Sequence, residues 1–220
     1  IGDFRTFRPD PVDLAAINES ISSLLAWKLS LFQRDPNGTT VLTSDSGAGT
    51  SRYAAGQQAS AQVVGGHGDI GATSCPGAVL SEQLPTIRAM AAAKMGVTMF
   101  NPSVAAAVPY GAPDPVVVNA STTAPLTWSM TVTSRCGDVV RTVGGQQAEG
   151  TPLSIGWDKL NDQGQPVPPG TYTLTVNGAN GADAAYPWTG TARVLATVDS
   201  PPDPCGPPDT FTVTGAGYGH

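Results

Sequence analysis

Apolar positions recur at helical spacing over residues 11–32, where Leu14, Ile17, Ile21, Leu24, Leu25 and Phe32 fall on one face. The pattern predicts an amphipathic helix. Asp10 or Asp13 caps or complements its start, and the turn residues Asp35, Pro36, Asn37 and Gly38 end it. Trp27 is read as a packing residue at the core or rim of this helix, in preference to a sugar-stacking platform. A second helix is predicted over 80–95, with Leu84, Ile87, Ala91 and Met95 on one side. Between the two, Gln62, Val63 and Val64 read as a buried strand end stopped by Gly65 and Gly66. Residues 47–58 read as a small, polar surface loop that puts Arg52 and Tyr53 within reach of a substrate.

The period changes further along the chain. Residues 97–115 are rich in Ala, Pro and Val, carry Asp114 as their one charge, and read as an extended linker. From Val116 apolar and polar residues alternate: Trp128, Met130 and Val132 on one face, Thr127, Ser129 and Thr131 on the other. Gly137-Asp138 is a hairpin signal before Val139, and strands flank the turn Asn161-Asp162-Gln163-Gly164 over 155–158 and 170–176. A last strand is predicted over 191–198. Six or seven short strands with turns every ten residues or so argue for an all-β sandwich over 116–199. The Pro-rich stretch 200–208 cannot continue a sheet, because proline removes ladder donors, and 200–220 reads as a tail with a further edge strand at 211–214.

Composition narrows the partners. Charged residues make up 13% of the chain and the formal net charge is −6, which argues against nucleic acid and anionic membrane surfaces. The 26 Gly and 20 Pro favour turn-rich β structure without a collagen period. No run of 18 apolar residues is present, so no helical membrane span is expected. The chain opens on Ile1 without basic and apolar signal regions. Either a signal segment has been removed, or the N-terminus is a cut inside a longer protein.

The candidate chemistry lies in residues 63–77, VVGGHGDIGATSCPG, which hold one of two histidines, His67, and one of three cysteines, Cys75. Imidazole and thiolate are both good zinc ligands, and a catalytic zinc takes three protein ligands plus water. Gly66-His67, Asp69, Gly71 and Thr73-Ser74-Cys75-Pro76-Gly77, followed by Leu84-Pro85-Thr86-Ile87-Arg88, resemble the C-terminal motif of type-2 N-acetylmuramoyl-L-alanine amidases of the peptidoglycan-recognition superfamily. The resemblance implies zinc ligation by His67 and Cys75 and a catalytic or oxyanion-side role for Thr73. It departs at Gly68, where the family usually has Arg. Ile1-Gly2-Asp3-Phe4 looks like the family's strand end at this place. The family's first zinc histidine and its catalytic Tyr or Glu lie before that strand, and the only other histidine here is His220. Residues 1–96 are therefore expected to be an α/β amidase-like domain lacking its N-terminal portion.

In the β-rich half, Gly156-Trp157-Asp158 followed by residues 161–172, NDQGQPVPPGTY, resembles the Ig-like module of flagellar hook-capping proteins, with Lys159 where a Gly is usual. The resemblance implies that Trp157 and Tyr172 are core residues.

Together these resemblances imply an extracytoplasmic protein of the secreted or cell-envelope class that acts on peptidoglycan. The expected reaction is zinc-dependent hydrolysis of the amide between N-acetylmuramic acid and L-alanine. An N-terminal fragment of the same polypeptide is a possible partner. The alternative is a non-catalytic peptidoglycan-binding or envelope-assembly protein. If Cys75 is the metal ligand, Cys136 and Cys205 remain, and their pairing is expected in an oxidising compartment.

Overall fold

Residues 10–45 and 49–206 are described by a computed structural model. The expected strand end at 1–4, the edge strand at 211–214 and His220 lie outside these residues. Asp10 opens helix α1 (Pro11–Leu31): its carboxylate accepts from the backbone N–H of Val12 at 2.8 Å and Asp13 at 2.9 Å, satisfying donors the helix itself leaves unpaired. A proline in the first turn costs nothing there, because its missing N–H has no intrahelical partner.

The face that α1 buries is not its apolar one. Asn18, Ser22, Ala26 and Ser30, a row at every fourth residue, are buried, and α1 packs on α3 (Ala78–Met95). Ile87 and Ala91 are the buried residues of α3. Small side chains let two helix backbones approach closely, and the two serine hydroxyls are satisfied within α1. Ser22 Oγ donates to the Glu19 carbonyl at 3.0 Å and Ser30 Oγ to the Trp27 carbonyl at 2.9 Å. Asn18 Nδ2 crosses to Gln83 Oε1 at 2.8 Å, and Lys94 Nζ meets Glu19 Oε1 at 2.5 Å. The expected apolar stripe is left half-open: Leu14, Ile17, Ile21 and Leu25 are partly buried, and Leu24 is 62% exposed. Trp27 is 59% exposed, which corrects its reading as a packing residue.

Between these helices run the antiparallel strands β1 (Thr39–Thr43) and β2 (Gln58–Gln62), then the one-turn helix α2 (His67–Ile70). No sequence signal had marked β1.

The linker expected at 97–115 is instead part of the β architecture. It carries β3 (Met99–Val104) and β4 (Ala107–Pro109), and Met99 and Val108 belong to the hydrophobic core. A register shift between Phe100 and Ser103, at the Asn101-Pro102 step, breaks the two-residue period that would have exposed β3 in the sequence. The strands that follow are β5 (Val116–Thr122), β6 (Thr127–Ser134), β7 (Val139–Gln146), β8 (Leu153–Trp157), β9 (Gly170–Asn180), β10 (Asp183–Ala184) and β11 (Trp188–Leu195). They form one sheet in the order β4-β11-β9-β6-β7, with β10 on β9, and a second in the order β3-β5-β8. β6 and β7 form the expected hairpin, its turn carrying Gly137 at φ 94°. The strands on either side of the 161–164 turn lie in different sheets, β8 beside β5 and β9 between β6 and β11.

Both sheets turn alternate side chains into one core. Val116, Val118, Leu153 and Ile155 come from one, and Met130, Val132, Leu174 and Val176 from the other. Trp157 and Tyr172 join them as an edge-on pair with ring centroids 5.1 Å apart. Each also satisfies its polar atom: Trp157 Nε1 donates to the Leu160 carbonyl at 3.0 Å and Tyr172 Oη to the Pro168 carbonyl at 2.6 Å. Lys159 adopts φ 62°, a backbone region that favours glycine, and its buried ammonium donates to the carbonyls of Ala112 and Asp114. A Cys136–Cys205 disulfide, Cα–Cα 5.4 Å, ties the Pro-rich segment after β11 to the β6–β7 turn.

Candidate functional site

The expected metal loop is built by backbone closure. After β2 the chain passes Val64, whose carbonyl accepts from Arg88 Nη1 of α3 at 2.9 Å. Asp69 Oδ2 accepts from the Gly66 N–H at 2.8 Å and fixes the entry to α2. His67 starts α2, and the next peptide turns back: Gly68 N–H donates to the Cys75 carbonyl at 2.6 Å. A Cβ on Gly68 would stand 2.9 Å from the carbonyl oxygens of both Thr73 and Cys75, so the Arg usual in the resembled family has no room in this closure. At Gly71 the approach is equally close: a Cβ there would meet the His67 ring at 2.7–2.8 Å, so the imidazole lies over bare backbone.

Of the three expected site residues, Thr73 is the most enclosed. Its Oγ1 accepts from the Cys75 N–H at 3.2 Å, which leaves the hydroxyl proton free for a further acceptor. His67 and Cys75 are both exposed, and Cys75 is a free thiol. The loop thus presents an imidazole and a thiol from backbones held together by one hydrogen bond. Proline 76, reached through a cis peptide, and Gly77 lead into α3.

The loop is braced on its other side by a segment the sequence assigned to substrate contact. Arg52 Nε donates to the Gly71 carbonyl at 3.1 Å, and its own N–H donates to the Ile70 carbonyl at 2.9 Å. Ser51 bridges to Gly71, and Ala72 N–H reaches the Thr50 carbonyl at 3.1 Å. Arg52 therefore positions the loop. Tyr53, Asp45 and Leu42 join His67, Ile70 and Gly71 around a cleft of about 350 Å³. Asp45 and Leu42 carry no sequence signal, because only the folded chain brings them to the cleft that His67 also lines.

His67 and Cys75 have the donor chemistry of two zinc ligands, a nitrogen and a sulfur from one pinned loop. Among the described residues no group of three His, Cys, Asp or Glu side chains is arranged to hold a metal ion. The loop fits a share of a zinc site. No helix among the described residues is long and apolar enough to cross a membrane.

Comparison with known proteins bears on the β-rich half. No curated protein matches the chain. Among solved structures, dimeric latent PorU from Porphyromonas gingivalis aligns at 14% identity over 44% of this chain and 9% of that one, with a TM-score of 0.35. Residues 111–182, from the end of β4 through β9, match the FlgD Ig-like domain family. The chain is a mixed α/β fold whose C-terminal part contains an Ig-like domain of the FlgD type.

Proposed function

We propose that residues 1–96 are the C-terminal part of a zinc-dependent N-acetylmuramoyl-L-alanine amidase domain, attached to an Ig-like β-sandwich in a secreted or cell-envelope protein. The observation that supports this reading is the Gly68–Cys75 backbone closure, which brings together the chain segments that carry His67 and Cys75. Zinc there would supply an activated water and polarise the muramoyl amide carbonyl. Thr73 contributes its free hydroxyl proton, a neutral donor for the oxygen on which charge develops. The cleft beside His67, with Tyr53 and Asp45 on its walls, receives the peptide side of the substrate. The third ligand comes from an N-terminal part of the same polypeptide. Its docking surface is the half-open apolar stripe of Leu14, Ile17, Ile21 and Leu24 together with exposed Val41 and Leu42.

The test is metal analysis and muramoyl-amide hydrolysis on the chain joined to its N-terminal part. Stoichiometric zinc, lost together with activity in His67→Ala and Cys75→Ser, supports the proposal. Hydrolysis that survives His67→Ala rejects it. The second reading is a non-catalytic peptidoglycan-binding or assembly protein. It predicts peptidoglycan retention that a chelator leaves intact, with no amide cleaved.

A further inference from the structure

We infer that the groove between the C-terminal turns of α1 and α3 and the Ig-like domain is a glycan-binding subsite that takes the apolar face of a neutral pyranose. The groove holds about 420 Å³, within the size range of small-ligand sites, and is lined by Ser23, Trp27, Ser30, Lys94, Met95 and Tyr186. Two large aromatic side chains stand in it largely uncovered, Trp27 at 59% and Tyr186 at 55% exposure.

Both are held on anchored backbone. Trp27 sits inside a 21-residue helix, and by the helix repeat it lies with Ser23 on the opposite flank of the α3 contact from Ile17 and Ile21. Tyr186 follows buried Ala185, and its carbonyl accepts from Gln33 Nε2 at 2.9 Å. Rigid aromatic faces that remain exposed bind at small entropic cost, and an aromatic ring presents an apolar body with a wet edge.

The polar groups select the ligand. Lys94 is neutralised by Glu19 at 2.5 Å, so the groove has no free charge to draw a polyanion. Ser23 and Ser30 Oγ, whose protons go to Glu19 Oε1 and the Trp27 carbonyl, keep lone pairs as acceptors, and the Lys94 ammonium keeps protons beyond the one given to Glu19, which suits sugar hydroxyls that both donate and accept. A proline-rich peptide, the other common occupant of aromatic grooves, brings carbonyl acceptors and few donors. The site shares no lining residue with the cleft at His67 and does not rest on the chemistry assigned there.

The experiment is an NMR titration of the full chain with chitotetraose, following indole and backbone N–H signals. Saturable shifts of the Trp27 indole and of the Lys94 and Tyr186 amides are expected, unchanged by a chelator. Trp27→Ala and Tyr186→Ala should each weaken binding roughly tenfold or more, and Trp27→Tyr, which keeps a ring, should stay within a few-fold of the parent. The absence of shifts at millimolar sugar overturns the proposal. So does full binding by Trp27→Ala, or saturation of the same signals by a proline-rich peptide in place of the sugar.

Discussion

The peptide that follows His67 is bonded to the peptide of Cys75: Gly68 N–H lies 2.6 Å from the Cys75 carbonyl oxygen. This contact requires glycine, because a Cβ would press on two carbonyl oxygens at 2.9 Å. Gly68→Ala is therefore expected to open the loop at a cost of about 1–3 kcal/mol. Zinc titration should show weaker binding for the variant, and hydrogen exchange should show faster exchange at residue 68. Parent-like values in both measurements would mean that the loop is not held here.

Trp157 and Tyr172 predict the second outcome. Trp157 is 1% exposed, fills the core beside Tyr172 and has its indole N–H paired. Trp157→Ala should cost about 3–5 kcal/mol, read from denaturant unfolding of the Ig-like domain. A loss below about 1 kcal/mol would show that the two sheets do not depend on this pair.

The third outcome concerns sulfur. Thiol counting under denaturing, non-reducing conditions should find Cys75 alone free, because Cys136 and Cys205 are bonded across 69 residues of sequence. Replacing both bonded cysteines with serine releases a loop whose closure is worth roughly 4 kcal/mol on the chain-entropy argument. The midpoint of thermal unfolding should fall accordingly. Three free thiols in material from the native source would remove the bridge and the argument for an oxidising compartment.

Alkaline pH supplies the fourth. Burial first, and then the nearby Asp203 carboxylate, push the Tyr172 phenol up to about 12. A pKa raised on folding contributes stability that is complete below the unfolded value near 10 and is lost as pH rises toward 12. Stability should therefore decline between about pH 10 and 12, and Tyr172→Phe should flatten that slope while lowering stability at neutral pH through the lost bond to Pro168. Equal slopes for parent and variant would assign the decline to other groups.

The Ig-like domain was legible in the sequence because its central strands β5, β6, β9 and β11 are paired on both sides and alternate in register; Met130 and Val132 face the core as their spacing demanded. Residues 97–115 were misread as linker because the irregular step at Asn101-Pro102 erases that alternation, although Met99 and Val108 are core residues. Helix α1 was legible as a helix but not in its orientation. Periodicity reports where apolar side chains cluster, and here the row that α1 buries is small and polar. At the candidate site the glycine and cysteine spacing marked the loop. Its braces, Arg52 to Gly71 and Arg88 to Val64, are hydrogen bonds between segments 19 and 24 residues apart, and local patterns do not report such pairs.

Gln33 has a consequence of its own. This buried residue, at φ 50° just past α1, sends its side-chain amide to Tyr186 and accepts on its carbonyl from Asn101 N–H at 2.8 Å. One residue, by its side chain and its backbone, thus bolts the helical layer to the β-rich half at two points, one of them on the Tyr186 wall of the groove. Reciprocity then applies: a molecule that grips both walls tightens the bolt by as much free energy as the bolt lends to its grip. A sugar bound in the groove would act as a clasp between the helical layer and the β-rich half.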